Sequence, residues 1–207
     1  MKVIIFGATG SVGRLVVEQT LSAGHHATAF ARKPQKLDIN HPNLSLAAGN
    51  ALDADDVSKA MPGHDAAIVV LGAGMDRKSR IRSQGTLNVI NAMQDHGVKR
   101  LIAQSTLGAH ESWSNLNFFW KRIMFGGIIK PVFKDHELQE QMVRASGLDW
   151  TIVRPGAFDE GPATGTYKAP VLPGDRKLTL KISRADIADF IGKELVNATY
   201  LRRATAQ

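Results

Sequence analysis

The sequence predicts an α/β fold: a doubly wound parallel sheet with helices on both faces, in a single domain. Short apolar runs alternate with segments of helical periodicity from the first residues onwards. The run 66–71 is almost continuously apolar, as expected for a strand that is covered on both faces. A glycine-rich segment at 7–13 stands between the first strand and the first helix. Alternation of this kind specifies a parallel sheet.

The first half of the chain is predicted to supply four strands and the helices between them. The strands are expected at 2–6, 26–31, 44–48 and 66–71. Val12 and Val16 lie on one face of the first helix, and Gly24 is placed to end it. Asp53 is expected to cap a short helix that runs to about Met61.

A third helix is predicted from about Ser83 to Gly97, followed by a fifth strand at 100–104. The stretch 107–131 is expected to be irregular. After it, three residues at helical spacing predict a buried helix face that ends at Gly147: Leu138, Met142 and Ala145.

A sixth strand is predicted at 150–153, and Ser183 with Asp186 fits a capping box that begins the last helix. Residues 202–207 are expected to fray.

Composition places limits on the kind of protein. Of the 207 residues, 43% are hydrophobic and 22% are charged, which is typical of a globular chain. The absence of cysteine excludes disulfides, thiol catalysis and thiolate metal sites. No apolar run has the length of a signal peptide or a membrane span, so a cytoplasmic protein without a membrane partner is expected.

The formal net charge of +7 leaves two interpretations. Basic proteins attract polyanions, but excess basic residues also decorate ordinary surfaces. Because these residues are scattered and no nucleic-acid reading motif is present, nucleic acid is not the expected partner. A monomer or a small homo-oligomer is expected.

The glycine-rich segment is the strongest functional signal. Gly7 allows a sharp turn, Gly10 leaves room for a pyrophosphate, and Gly13 allows the helix to lie close to the sheet. Backbone N–H groups at the start of the helix would hold the phosphates. The segment therefore predicts a Rossmann-like dinucleotide site formed by Gly7, Thr9, Gly10, Ser11, Val12 and Gly13.

The residues after the second strand predict which dinucleotide is bound. An acidic residue there would bind the free ribose hydroxyl of NAD, but this chain has Arg32 and Lys33, which suit a 2′-phosphate. NADP(H) is therefore expected in preference to NAD(H). The ends of the third and fourth strands are expected to border the cofactor through Leu52, Asp53, Leu71, Gly72 and Ala73.

Several segments in order resemble one known group of proteins. The spacing Gly-x-x-Gly-x-x-Gly resembles the short-chain dehydrogenase/reductase superfamily, and the segments 97–102, 105–106, 146–156 and 182–188 look like those of its atypical members. Together they resemble the NAD(P)H-binding group that includes NmrA-like proteins and biliverdin reductase B, a flavin reductase. The resemblance extends over nearly the whole chain and implies one domain, 1–207, with substrate-side elements from 107–135 and 155–182.

The sequence departs from the superfamily in one respect. Typical members use Tyr-x-x-x-Lys, in which the tyrosine gives a proton to a carbonyl. Neither Tyr167 nor Tyr200 is followed by lysine at the required distance. Counting back from Ser146, the family's lysine position is His136 and its tyrosine position is Val132. Ordinary alcohol–ketone chemistry is therefore not expected.

Strand ends supply the remaining candidate residues. Pro155, Gly156 and Ala157 follow the sixth strand and are expected to border the cofactor. Ser105 or Thr106, after the fifth strand, could hydrogen-bond an acceptor or simply cap the strand. Ser105 is also a candidate cofactor contact.

His136 is a candidate proton donor, although Lys134 to Glu137 also reads as an ordinary helix start. One stretch is unusually aromatic and either forms the wall of a pocket or serves packing and subunit contact. It contains Trp113, Phe118, Phe119, Trp120, Met124 and Phe125.

Two functions fit these features. The first is an NADPH-dependent oxidoreductase that transfers hydride to a planar acceptor such as a flavin or quinone, a reaction that needs no Tyr-x-x-x-Lys dyad. The alternative is a non-catalytic NADP(H) sensor of the NmrA-like type. The aromatic stretch would discriminate between them: an open cavity over the nicotinamide would favour the enzyme, and a filled one would favour the sensor.

Overall fold

The computed structural model describes residues 1–74, 76–167, 174–175 and 180–206. Nine strands are present in these residues: β1 Lys2–Phe6, β2 His26–Ala31, β3 Leu44–Ala48, β4 Ala66–Val69, β5 Arg100–Gln104, β6 Asp149–Arg154, β7 Ala157–Asp159, β8 Lys181–Ser183 and β9 Arg203–Ala206. Five α-helices accompany them: α1 Ser11–Ser22, α2 Ala54–Ala60, α3 Ile81–Asp95, α4 Lys130–Ala145 and α5 Arg184–Asn197.

The central sheet has seven strands in the order β3-β2-β1-β4-β5-β6-β9, and all of its pairings are parallel. The first six strands have the order of a doubly wound, Rossmann-like sheet, which confirms the predicted fold class. Strands β2 and β3 are added on one side of β1, and β4, β5 and β6 on the other, so the order of the strands reverses between β1 and β4. In such sheets the crevice at this reversal, beyond the carboxyl ends of the strands, is where ligands bind.

Alternation along each strand builds one core on each face of the sheet. Val3 and Ile5 of β1 pack in the core formed with α1 and α5, whereas Ile4 and Phe6 pack in the core formed with α2, α3 and α4. All four side chains are fully buried. Successive strand residues point to opposite faces, so a strand covered on both sides must be apolar throughout.

Most predicted elements are present, with small shifts at their ends. Asp53 caps α2 by accepting from the backbone N–H groups of Asp55 and Asp56, as predicted. Ser183 caps α5 in the same way through Asp186. The third helix begins at Ile81, two residues before the predicted start.

Three expectations were wrong. The stretch 107–131 is not irregular: it contains a 3₁₀ helix, His110–Asn115, and a π-helix, Phe119–Ile128. Residues 203–206 do not fray, because β9 pairs with β6 at the edge of the sheet. Residue 207 lies outside the described residues.

The buried face of α4 also differs from the predicted one. Leu138 is 40% exposed and Ala145 is exposed, while the face towards the core carries Phe133, His136 and Val143. Polar side chains on that face hydrogen-bond inside the protein, and their burial cannot be anticipated from hydrophobic periodicity.

Candidate functional site

A cavity of about 810 Å³ lies at the carboxyl ends of the central strands. Its volume is within the range of small-molecule and cofactor sites. It is lined by fourteen of the predicted cofactor-binding and catalytic residues: Gly7, Thr9, Gly10, Ser11, Val12, Arg32, Leu71, Gly72, Ser105, Thr106, His136, Pro155, Gly156 and Ala157.

Five predicted cofactor residues do not line this cavity: Gly13, Lys33, Leu52, Asp53 and Ala73. Gly13 lies beneath the loop, and Asp53 caps α2. Lys33 precedes a 3₁₀ helix, Pro34–Leu37, and is exposed. A role for these five in cofactor binding remains a prediction.

The glycine-rich loop is shaped by close backbone contacts. A Cβ atom on Gly7 would stand 2.6 Å from the carbonyl oxygen of Val70, and Gly7 has a φ of +90°. A Cβ on Gly13 would stand 2.1 Å from the carbonyl oxygen of Gly7. Side chains at these two positions are therefore excluded by the fold itself.

Gly10 has a different reason to be glycine. Its φ is −75°, and a Cβ there would meet only the carbonyl oxygen of Gly7, at 3.2 Å. Gly10 lines the cavity, so a side chain would occupy the space in front of the start of α1. The fold tolerates a side chain at this position, but a ligand bound there would not.

The start of α1 offers hydrogen-bond donors to the cavity. Gly10 is the N-cap residue, and no side chain caps the helix there, in contrast to α2 and α5. Its carbonyl accepts the first helical bond, from the N–H of Arg14, at 2.9 Å. The N–H groups of Ser11 and Val12 therefore have no partner within the helix, and the helix dipole places partial positive charge beside them. This arrangement fits the diphosphate of a dinucleotide.

Arg32 stands directly after β2, at one end of the cavity. Its side chain is exposed, and Ala31, Gly49 and Asn50 line the same end. Among the cavity residues there is no carboxylate in this region that could bind a ribose hydroxyl. The environment suits a 2′-phosphate, as predicted from the sequence.

The carboxyl end of β5 supplies polar atoms that have no hydrogen-bond partner among the described residues. The backbone N–H of Ser105 donates to the carbonyl of Val153 at 2.7 Å, but its buried Oγ has no partner, nor does Oε1 of Gln104. Thr106 donates weakly to the carbonyl of Leu107, at 3.4 Å. Buried polar atoms without a partner are costly, so such atoms beside a cavity indicate ligand contacts.

His136 lines the cavity in a fixed orientation. The amide nitrogen of Gln139 donates to Thr86 at 3.0 Å, so the amide oxygen faces Nδ1 of His136, 3.2 Å away. In this arrangement Nδ1 carries the proton and Nε2 is an acceptor. Burial and the charge of Arg82 lower the pKa of His136 to about 3, outweighing the hydrogen bond to Gln139. A neutral histidine with its proton already donated does not favour the predicted role of proton donor.

The aromatic stretch both lines the cavity and packs against other side chains. Trp120 and Phe125 line the cavity together with Leu116 and Ile129, so they form an apolar wall. Phe125 also stacks on Phe133, with ring centroids 4.5 Å apart. By contrast, the same stretch includes exposed rings that do not line the cavity, at Phe118, Phe119 and Trp113.

A network of ion pairs around the buried side chain of Arg154 joins three elements of the structure. Arg154, 1% exposed, donates Nε to Glu140 at 2.8 Å and Nη2 to the other oxygen of the same carboxylate at 2.6 Å. Its Nη1 lies 3.0 Å from Glu111. Partial burial would raise the pKa of Glu111, but hydrogen bonds from Arg154 and Arg144 outweigh it and lower that pKa to about 2. The network joins β6, α4 and the 3₁₀ helix His110–Asn115.

Sequence reasoning missed several residues of the cavity. Arg82 on α3, Gln104 on β5 and Leu116 before the π-helix line it without belonging to any motif. Only the position of Gln104 at a strand end could have indicated it.

Two kinds of feature, a membrane-spanning helix and a metal-binding cluster, are absent from the described ranges. No helix there is long and apolar enough to cross a membrane. No group of three or more histidine, aspartate or glutamate side chains there could hold a metal ion.

Comparison with known proteins identifies the type of site. A family model described as NAD(P)H-binding matches residues 7–198. The protein YMR090W of Saccharomyces cerevisiae is 28% identical, over 96% of this chain and 89% of its own length. YhfK of Bacillus subtilis, named an uncharacterized sugar epimerase, is 30% identical, over 82% of this chain and 78% of its own length.

Solved structures show the same fold. The oxidoreductase YlbE of Lactococcus lactis superposes with a TM-score of 0.84 at 25% identity, covering 100% of this chain and 90% of its own. ChuY of Escherichia coli O157:H7, described as an anaerobilin reductase, superposes with a TM-score of 0.80 at 24% identity. That match covers 100% of this chain and 96% of ChuY.

Proposed function

This chain belongs to the NAD(P)H-binding family, and from that premise we propose that it is an NADPH-dependent oxidoreductase that transfers hydride to a planar acceptor such as a flavin or quinone. One observation carries the proposal. The glycine-rich loop and the apolar wall of Trp120 and Phe125 line the same cavity of about 810 Å³. The dinucleotide and the flat acceptor would therefore both bind in this one cavity.

The residues present fit the cofactor. Gly7 and Gly13 allow the loop to pack where any Cβ would collide, and the uncapped start of α1 presents N–H groups to a diphosphate. Arg32 supports a preference for NADP(H) over NAD(H). When bound, the reduced nicotinamide supplies the hydride, which carries two electrons.

No tyrosine or lysine is among the described residues that line this cavity. Val132 and His136 occupy the sequence positions that correspond to the superfamily's tyrosine and lysine, and neither Tyr167 nor Tyr200 lines the cavity. Tyr167 donates to Asp189 on α5 instead, at 3.0 Å. An acceptor that takes hydride at an electrophilic ring atom does not need this acid, because water can supply the accompanying proton.

The protein's own contribution is then binding, orientation and exclusion of water. The apolar wall of Leu116, Trp120, Phe125 and Ile129 would pack against a flat ring, while Ser105 and Gln104 would hydrogen-bond its oxygen or nitrogen atoms. Holding the acceptor against the nicotinamide converts a bimolecular encounter into a unimolecular step.

Names of related proteins support a reductase more than the alternatives. YlbE is described as an oxidoreductase and ChuY as an anaerobilin reductase. The name of YhfK suggests sugar epimerisation, but the largely apolar wall of Leu116, Trp120, Phe125 and Ile129 suits a flat ring better than a sugar. The apolar wall in the same cavity as the glycine-rich loop supports the enzyme over a non-catalytic sensor, which needs no acceptor site.

Substitution of a residue in the apolar wall tests the proposed acceptor site. We expect Trp120→Ala to reduce kcat/KM for FMN and for a simple quinone, because it removes the ring that packs against the acceptor, and to leave the Kd of NADPH unchanged. Phe119→Ala is the matched control, since Phe119 is 49% exposed and does not line the cavity. Equal kcat/KM values for wild type and Trp120→Ala would contradict the proposed acceptor site.

A further inference from the structure

Arg82 is a buried cation without a hydrogen bond. Its side chain is 11% exposed and it lines the cavity from the second position of α3. Among the described residues, none accepts a hydrogen bond from its guanidinium, and its Nη1 is fully enclosed without a partner. The closest carboxylate oxygen is Oδ2 of Asp135, 3.9 Å from Nη1, which is too far for a hydrogen bond.

Asp135 forms an ion pair with Arg82 at 3.9 Å but accepts no hydrogen bond from its guanidinium, and its oxygens accept from other groups instead. They accept from the backbone N–H of Arg82 at 3.1 Å, from the backbone N–H of Ser83 at 3.2 Å, and from the Ser83 hydroxyl. Asp135 therefore caps the start of α3. Burial lowers the pKa of Arg82 and the charge of Asp135 raises it, with burial the larger effect.

The other two arginines of the cavity are in different situations. Arg32 is exposed to solvent. Arg184 donates to the hydroxyl of Ser11 at 3.0 Å and pairs with Glu160. Within the described part of the chain, no aspartate or glutamate lines the cavity. The described charged side chains that line the cavity are therefore all cations, and Arg82 is the most buried one that donates no hydrogen bond.

A largely buried arginine that donates no hydrogen bond to any described residue is unfavourable, and a ligand that accepts from it would explain its retention. We infer that Arg82 binds an anionic substituent, a carboxylate or phosphate, on the acceptor. This inference rests on the proposed function for its choice of ligand, since the cavity is taken to be the acceptor site. It narrows the acceptor class to planar rings that carry an oxyanion, with the ring against the apolar wall.

Matched ligand pairs test the inference by binding alone. Protein saturated with NADP⁺ is titrated with FMN and riboflavin, which share the isoalloxazine ring and differ by a phosphate. It is also titrated with anthraquinone-2-carboxylate and anthraquinone-2-carboxamide, which differ by one charge. We expect tighter binding of the anionic member in at least one pair. In Arg82→Met that preference should fall by about tenfold, which corresponds to about 1.4 kcal/mol, while the Kd of the neutral member stays within about twofold.

Two further variants separate charge recognition from a structural effect. Arg80→Met removes the same charge two residues away, from an exposed side chain that does not line the cavity, and should keep the preference. Arg82→Lys keeps the charge without the planar fork and should retain part of it. Thermal unfolding of each variant checks that α3 is intact.

Three results would contradict the inference about Arg82. The inference is wrong if wild type shows no preference in either pair, or if Arg82→Met weakens the charged and neutral members equally. It is also wrong if Arg82→Met weakens NADP⁺ as much as the anionic ligand, because Arg82 would then serve the cofactor. Charge-selective binding without any NADPH oxidation would preserve the anion site and overturn the reductase proposal instead.

Discussion

Substituting Gly10 by valine separates the binding role of the glycine-rich loop from its folding role. The backbone at Gly10 has a φ of −75°, which valine adopts readily, and a Cβ meets one atom at 3.2 Å. Valine is a poor N-cap residue relative to glycine, at a cost of about 1 kcal/mol. For a chain of this size the melting temperature should fall by only about 2–4 °C.

The loss of cofactor binding should be much larger. A valine side chain would stand where the N–H groups of Ser11 and Val12 face the cavity, and a charge-assisted hydrogen bond contributes about 1.5–3 kcal/mol. Losing two such bonds costs about 3 kcal/mol or more, so the Kd of NADPH should rise by about a hundredfold or more. Isothermal titration calorimetry measures this Kd, and thermal unfolding measures the stability.

Two comparison variants make the prediction decisive. Gly127→Val makes the same change at an exposed glycine outside the cavity, where a Cβ meets only one backbone oxygen at 3.9 Å, and should leave NADPH affinity unchanged. Gly13→Ala places a Cβ 2.1 Å from the carbonyl oxygen of Gly7 and should destabilise the fold directly. A folded Gly10→Val protein with unchanged NADPH affinity would refute the placement of the diphosphate.

The remaining predictions concern the cofactor, stability and pH. Arg32→Ala should weaken NADPH by about tenfold and leave NADH nearly unchanged, because only NADPH carries the 2′-phosphate; equal losses in parallel titrations would remove this role. Glu140→Gln should lower stability by about 3 kcal/mol or more in denaturant titrations, since it leaves buried Arg154 poorly paired; Glu111→Gln, at a half-exposed carboxylate, should cost less. The pKa of His136 is about 3 in the folded protein, below its ordinary value of 6.5. The contribution of neutral His136 to the free energy of unfolding is therefore fully present above pH 6.5 and is lost as the pH falls towards 3. His136→Gln should flatten the dependence of Tm on pH between 6.5 and 4, and an unchanged slope would contradict the buried neutral state.

The sequence was sufficient to predict the central strands because they are buried on both faces. The predicted first, second and fifth strands coincide with β1, β2 and β5. The predicted third strand coincides with β3, although β3 lies at the edge of the sheet and is partly exposed. Strands buried on both faces must be apolar along their length, and glycines punctuate the connections between them. The edge strand β9 was missed because its sequence, Arg203–Ala206, has no apolar run, and its pairing with β6 depends on the rest of the sheet.

Local sequence rules also identified the glycine-rich side of the cavity better than the side that carries the apolar wall. The glycine-rich loop and Arg32 are short-range features with a direct geometric meaning. Arg82 and Leu116 come together only through tertiary packing. The buried face of α4 is partly polar, with Gln139 and Glu140 hydrogen-bonded internally, so hydrophobic periodicity indicated the wrong face.

Oxidation of NADPH, followed by absorbance with FMN and a simple quinone as acceptors and NADH as the comparison cofactor, tests the central claim most directly. The proposed reductase predicts acceptor-dependent oxidation of NADPH that is faster than that of NADH and is lost in Gly10→Val. Tight binding of NADPH without turnover across a broad panel of flavins and quinones, including anionic members, would contradict the proposed reductase and favour a sensor.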